Sequence, residues 1–172
     1  MPLFEFVRDL ERQSDVLRRR AYGVICVADE RLVGIRLRPW PKIISGTEIL
    51  LLGNLFHSRA VGNSCWLYYN QPCRHRRFLA IKYVVSSRHT SLKTFRSSLV
   101  VLDQIARIKG SDAIVCEVRN LRISDRLLRR WGWQPHVPSS RRRHFIKRFY
   151  GTYPDPAEAM ALCPTSDPPS LP

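Results

Sequence analysis

The chain has 172 residues, enough to bury a core of its own, and its 44% apolar and 25% charged content is that of a folded protein, not a disordered one. Its 29 Lys and Arg against 14 Asp and Glu leave a net charge of +15, a field that attracts polyanions such as nucleic acid; Arg far outnumbers Lys, so a merely basic surface fits the same numbers. No apolar run reaches the roughly 18 residues of a membrane span, and the N-terminus lacks a basic n-region followed by an apolar h-region, so the expectation is a cytoplasmic protein that does not enter a membrane.

The five cysteines are odd in number and irregularly spaced, which excludes a disulfide framework and points to reduced thiols. Cys65, Cys73 and His75 contain no CxxC pair and find no matching second pair, so no metal is expected.

In chain order, residues 4–20 read as a helix with Phe6, Leu10, Val16 and Leu17 on one side. The triplet Arg18-Arg19-Arg20 falls where cations complement the helix dipole. Tyr22 to Arg38 holds two β-branched runs around Asp29-Glu30-Arg31, a hairpin pattern, and Pro39-Trp-Pro41 stops the second strand. Residues 42–77 are the least readable. Thr47 to Leu52 is an apolar run that suits a strand or a buried turn of helix, Ser64 to Tyr69 suits a strand or a loop edge, and Asn70 to Cys73 turns into the basic Arg74-His-Arg-Arg77. Phe78 to Ser86 is a strand. Thr94 to Ile108 is the main helix, with Leu99, Leu102, Ile105 and Ala106 on its apolar face and Gly110 at the position that ends it. Ala113 to Val118 is a nearly continuous apolar run, as in a strand buried on both faces. A short helix follows Ile123, ending in Trp131-Gly-Trp133, whose rings read as packing residues. Arg143 to Phe149 is the last strand. From Pro154 onward the prolines break regular structure, and residues 154–172 read as a flexible tail after a domain spanning residues 1–153.

The order strand, polar loop, long helix, Gly turn, buried strand, short helix, strand over Phe78 to Phe149 resembles the C-terminal half of the GCN5-related N-acetyltransferases, the GNAT superfamily; residues 1–77 match loosely. The resemblance implies an α/β (α+β) fold, a single mixed, mainly antiparallel sheet with helices on both faces, the Tyr22–Arg38 hairpin supplying its second and third strands. It also implies binding of acetyl-CoA or another acyl-CoA. In that family a Gly-rich loop before the long helix holds the CoA diphosphate on backbone N–H groups, as helix N-termini do generally. Here the loop is Thr90-Ser-Leu-Lys-Thr-Phe95 and has no glycine. Lys93, Thr94 and Arg96 are the groups left to meet an anion, or Thr90, Ser91 or Thr94 caps the helix, and the Phe95 side chain competes for the same space. The resemblance places the pantetheine arm on the backbone of Val84, Val85 and Ser86, beside a bulge, and matches Asn120, Ser124 and Gly132-Trp133 to the segment after the next strand. The family's tyrosine acid falls on Leu128. For a base, Glu117 stands on the fifth family strand, where burial would raise its pKa, or it pairs with Arg119 or Arg122; Glu48, His57 and His89 are further candidates. The function so implied is N-acylation of an unidentified amine acceptor, with no metal. The alternative is a non-catalytic module that binds nucleic acid or a protein partner through its basic surface.

Overall fold

The structure is a computed structural model that describes residues 5–39, 62–120, 123–136 and 142–163. Thr47–Leu52, Glu48, His57 and the terminal residues 164–172 lie outside the described residues. Eight strands form one sheet: β1 (Glu5–Val7), β2 (Tyr22–Ala28), β3 (Arg31–Arg38), β4 (Ser64–Asn70), β5 (Phe78–Ser86), β6 (Ala113–Val118), β7 (Gln134–Pro135) and β8 (Arg143–Arg148). The helices are α1 (Ser14–Arg19), α2 (Leu92–Lys109), α3 (Asp125–Arg130) and α4 (Pro156–Met160). The sheet order is β1-β3-β2-β4-β5-β6-β8-β7, and every pairing is antiparallel except β5 with β6. The sheet is therefore mixed and mainly antiparallel, as expected.

The first expected helix begins ten residues late. Asp9 Oδ1 accepts from the N–H groups of Glu11 and Arg12, both at 3.0 Å, and Gln13 Oε1 accepts from that of Arg8 at 3.0 Å. These local bonds satisfy the backbone as a turn and compete with the helix ladder. Glu5 to Val7 instead pairs with Ile35 to Leu37. The β2–β3 hairpin closes through Asp29 and Glu30, at φ 48° and 67°, the two positive φ values that a twist-matched two-residue turn requires. β4, read as strand or loop edge, is a central strand between β2 and β5. It inserts beside β2, so β3 has β1 and β2 as neighbours.

α2 begins at Ser91, whose Oγ accepts from Thr94 N–H at 3.1 Å, and ends at Gly110 at φ 63°. There the Ser111 N–H reaches back to Ala106 O at 2.9 Å, closing the helix in a left-handed cap. Lys109 Nζ then donates to Arg20 O at 2.8 Å and to Gln71 Oε1 at 3.1 Å. This fixes the end of α2 to the end of α1. Where prolines suggested an irregular tail, the chain folds once more. Pro156 takes the first turn of α4, where its missing N–H costs nothing; Asp155 caps it at 2.8 Å, and Ala159 is fully buried.

The main core lies on one side of the sheet and takes buried side chains from all four helices, including Leu17, Leu102, Leu128 and Ala159. The second cluster, Val24, Cys26 and Tyr68 with Trp66, Tyr83 and Val85 around it, lies on the other side and contains strand residues only. None of the described helices supplies a covering layer there.

Candidate functional site

Two register facts shape the site. Tyr68 pairs with Tyr83 but Tyr69 pairs with Ile81, so Lys82 is an extra residue, a β-bulge. The bulge reverses the alternation of β5. Leu79 and Ile81 pack in the main core, whereas Tyr83 and Val85 join the second cluster on the opposite face. The parallel pairing of β5 with β6 stops at the same place: Phe78 to Ile81 match Ala113 to Cys116, and no pairing continues beyond. From there β5 remains bound to β4 and β6 to β8. The strands part, leaving an edge of β5 at Val84, Val85 and Ser86 without a sheet partner toward β6. Burial along β6 follows the parting. Ala113 and Ile114 are buried, and the four residues after them are only partly so, which corrects the reading of this strand as buried throughout.

In a strand–helix–strand unit the C-terminal ends of both strands and the start of the connecting helix lie at one end of the sheet, the end where open α/β sheets hold ligands. By this topology Val84, Val85, Ser86, Glu117 and the first turn of α2 lie at the same end of the sheet. That turn is held by a network the sequence did not reveal. Asn63 Oδ1 accepts from Ser91 N–H at 2.7 Å, Thr90 Oγ1 donates to Ser64 O, and Thr94 Oγ1 accepts from Glu30 N–H at 3.3 Å and from Ser91 Oγ at 3.0 Å. Thr94 is 0% exposed, so its hydroxyl serves the fold. The N–H groups of Leu92 and Lys93 find no acceptor among the described residues, and both side chains are exposed. Arg96 Nη2 is bound to Glu158 Oε1 of α4 at 3.0 Å, a pair about half exposed at each end. Such a pair contributes little and releases readily. The Phe95 ring tilts against Trp131, centroids 6.0 Å apart, and closes the contact between the start of α2 and the end of α3.

Glu117 is the first β6 residue beyond the parting. Its Oε1 accepts from Arg119 Nε at 3.0 Å, and this hydrogen bond holds its pKa below the usual carboxylate range against a weak opposing effect of burial. Of the two readings of this residue, pairing with Arg119 is the one the structure shows, and the pKa falls where burial alone would raise it. Leu128, at the position of the family's tyrosine, is buried in the main core. Asn120 is exposed at the exit of β6, its carbonyl accepting from Ile123 N–H and Arg143 Nη1.

The buried pair Asp103–Lys147 was also missed. Lys147 Nζ donates to Asp103 Oδ2 at 2.6 Å beneath α2, and burial pushes the Asp103 carboxyl up to about 6 in spite of the ammonium. Its only sequence signal is an acid on the apolar side of a helix. No group of His, Cys, Asp and Glu that could hold a metal ion occurs among the described residues, and no described helix is long and apolar enough to cross a membrane.

No family model matches the chain, and no curated protein does. Among solved structures it is similar to the PaiA N-acetyltransferase of Thermoplasma acidophilum in complex with coenzyme A, at 13% identity over 87% of this chain and 100% of that one, with a TM-score of 0.43. It is also similar to nourseothricin acetyltransferase, at 10% identity over 86% of this chain and 99% of that one, with a TM-score of 0.41. Both are loose superpositions.

Proposed function

We propose that this chain is an acyl-CoA-dependent N-acyltransferase whose thioester lies in the opening between β5 and β6. The observation that carries this reading is the bulge at Lys82 coupled to the end of β5–β6 pairing. A parted parallel pair offers an extended amide-bearing chain such as pantetheine a row of backbone donors and acceptors at Val84, Val85 and Ser86, the logic of strand addition. The start of α2 lies at the same end, where the free N–H groups of Leu92 and Lys93, the Lys93 ammonium and, once released from Glu158, the Arg96 guanidinium suit a diphosphate.

In the reaction the acceptor amine attacks the thioester carbonyl, a C–N bond forms, the C–S bond breaks, and the CoA thiolate departs. Backbone N–H groups at the β5 edge stabilise the oxyanion. Glu117, ionised at neutral pH, is the carboxylate placed to take the proton that the amine loses. Leu128 cannot protonate the thiolate, so water does. The acceptor is an amine of unassigned identity, and the basic surface favours an acidic or nucleic-acid-associated one.

Isothermal calorimetry with acetyl-CoA at low salt tests the reading. We expect weak, salt-sensitive binding that Lys93→Glu abolishes while the thermal midpoint is retained, and Glu117→Gln lowering turnover with binding intact. Absence of binding at low salt overturns it. That result would favour the second reading, a non-catalytic module of the same fold, which draws on the buried Thr94 hydroxyl, the Phe95–Trp131 contact and the Leu128 replacement.

A further inference from the structure

The sheet face opposite the four helices carries a second constellation that the acyl-transfer reading leaves unused. Register places Phe6 beside Arg36, Arg36 beside Val24, Val24 beside Tyr68 and Tyr68 beside Tyr83. These residues form one row across five strands, about 19 Å long at the usual strand spacing of about 4.8 Å. A neighbouring row runs from Arg38 through Tyr22 to Asn70. The contacts confirm that the rows share a face. The Phe6 ring lies so close over Gly34 that a Cβ there would stand 2.2 Å from it. Tyr68 and Tyr83 stack with centroids 4.0 Å apart, and the Arg38 guanidinium lies 5.4 Å above the Tyr68 ring. Arg38, Tyr22, Tyr68, Asn70, Lys82 and Tyr83 line a shallow, open depression.

The chemistry of this face is one-sided. Phe6 is 41% exposed, Tyr22 and Tyr83 are partly exposed, and Arg36 and Lys82 are exposed. Arg8 lies 5.3 Å from the Phe6 ring centroid. On β1 to β5 the paired positions of this face hold no carboxylate among the described residues. The bulge itself presents Lys82 and Tyr83 here. Flat aromatic and guanidinium surfaces, interleaved with cations that meet no carboxylate among the described residues, complement a ligand that alternates π-faces with negative charge. A duplex hides its base faces and an acidic peptide has none, so a single strand is the polyanion that uses both halves of the face.

We propose that this sheet face binds single-stranded nucleic acid, its bases stacking on Phe6 and Tyr83 and its phosphates held by Arg36, Arg38 and Lys82. The proposal does not rest on the acyl-CoA reading, whose site lies at the end of the sheet.

The test is fluorescence anisotropy of a labelled oligothymidylate with the full chain. Three phosphate contacts at about 0.7 each give a slope of log affinity on log salt near −2, and therefore about 20-fold weaker binding between about 50 and 200 mM salt. Arg36→Glu combined with Lys82→Glu should weaken binding at least about tenfold. The same charge change on α3, Arg129→Glu with Arg130→Glu, should weaken it far less, and Lys93→Glu should leave it intact. Phe6→Leu, which keeps an apolar group over Gly34, should weaken it several-fold. Thermal midpoints check that each variant is folded. No binding at the lower salt overturns the proposal. Equal loss in the α3 control, equal affinity for a duplex of the same length, or equal displacement by polyglutamate overturns it as well, showing a response to net charge alone.

Discussion

Asp103 occupies a position where burial and pairing oppose each other. It is 4% exposed and bound to Lys147 on one oxygen, while its Oδ1 finds no partner among the described residues. Burial dominates and lifts its pKa to about 6, above the value near 3.9 of an unfolded chain. The folded state therefore holds this proton more tightly than the unfolded state does, and its contribution to stability declines as pH rises from about 4 to about 6. Denaturant titrations of the wild type and Asp103→Asn across that window should show the wild type losing on the order of 2 kcal/mol relative to the variant; parallel curves would place Asp103 outside the buried pair. Removing the carboxylate outright with Asp103→Leu strands the ammonium and should destabilise by about 3 kcal/mol, whereas Asp103→Leu with Lys147→Met should recover most of that loss. Neither effect could be read from the sequence, because the partners lie 44 positions apart and nothing in either local pattern names the other.

At the scale of elements, the signals that read true were those generated within one segment. The long helix and its stop at Gly110, the hairpin around Asp29-Glu30, and the strands at Phe78 and Ala113 all follow from periodicity and turn chemistry acting over a few residues. Gly110→Val should cost about 1 kcal/mol or more in urea titration, through its left-handed φ and not through crowding, since a Cβ there meets nothing within 4 Å. The failures have the opposite origin. Residues 4–13 carry an apolar spacing suited to a helix, but Asp9 and Gln13 bond their own backbone and free Glu5–Val7 to extend the sheet. The bulge is invisible in Leu79-Ala-Ile-Lys-Tyr-Val-Val85, because the sequence alternation runs through it unbroken and only the partner strand shows that Lys82 is surplus. Deleting Lys82 should restore a regular ladder against β4, with Tyr83 and Val85 kept on the face opposite the helices, and remove the irregularity at which β5 leaves β6. We expect loss of acetyl-CoA binding; a deletion variant that still binds would show that the parting of β5 and β6 does not need the bulge. Of the candidate site, the strand ends and Lys93 were legible from the resemblance. The removal of Thr94 into the fold and the capture of Arg96 by Glu158 come from side chains meeting across the sheet and from a helix in the presumed tail, whereas the lowered pKa of Glu117 follows from its local pairing with Arg119, a partner the sequence offered.

For the whole molecule, the net charge of +15 implies self-repulsion in the compact state. Raising salt from about 50 to about 200 mM shortens the screening length, and the thermal midpoint should rise by roughly 2 to 4 °C, corresponding to about 1 kcal/mol; a fall would show that the eight ion pairs between described residues outweigh the repulsion. The strand order carries a different consequence, for the route by which the chain reaches this state. The β2–β3 hairpin is closed by a tight turn, and β5, α2 and β6 form a local unit, so each half of the sheet can organise from neighbouring sequence. Within the sheet β4 joins them, pairing from Ser64 to Asn70 with β2 on one edge and from Cys65 to Asn70 with β5 on the other. Docking β4 requires closure of the long segment between β3 and β4, whose entropy cost precedes any reward from the pairing. Refolding should therefore be slow for the chain's size, in the millisecond-to-second range typical of non-local sheets. Stopped-flow chevrons should find that Leu67→Ala in β4 acts almost wholly on the unfolding rate, while Ala106→Gly in α2 slows folding. A high φ-value at Leu67 would instead place the union of the two halves at the start of folding.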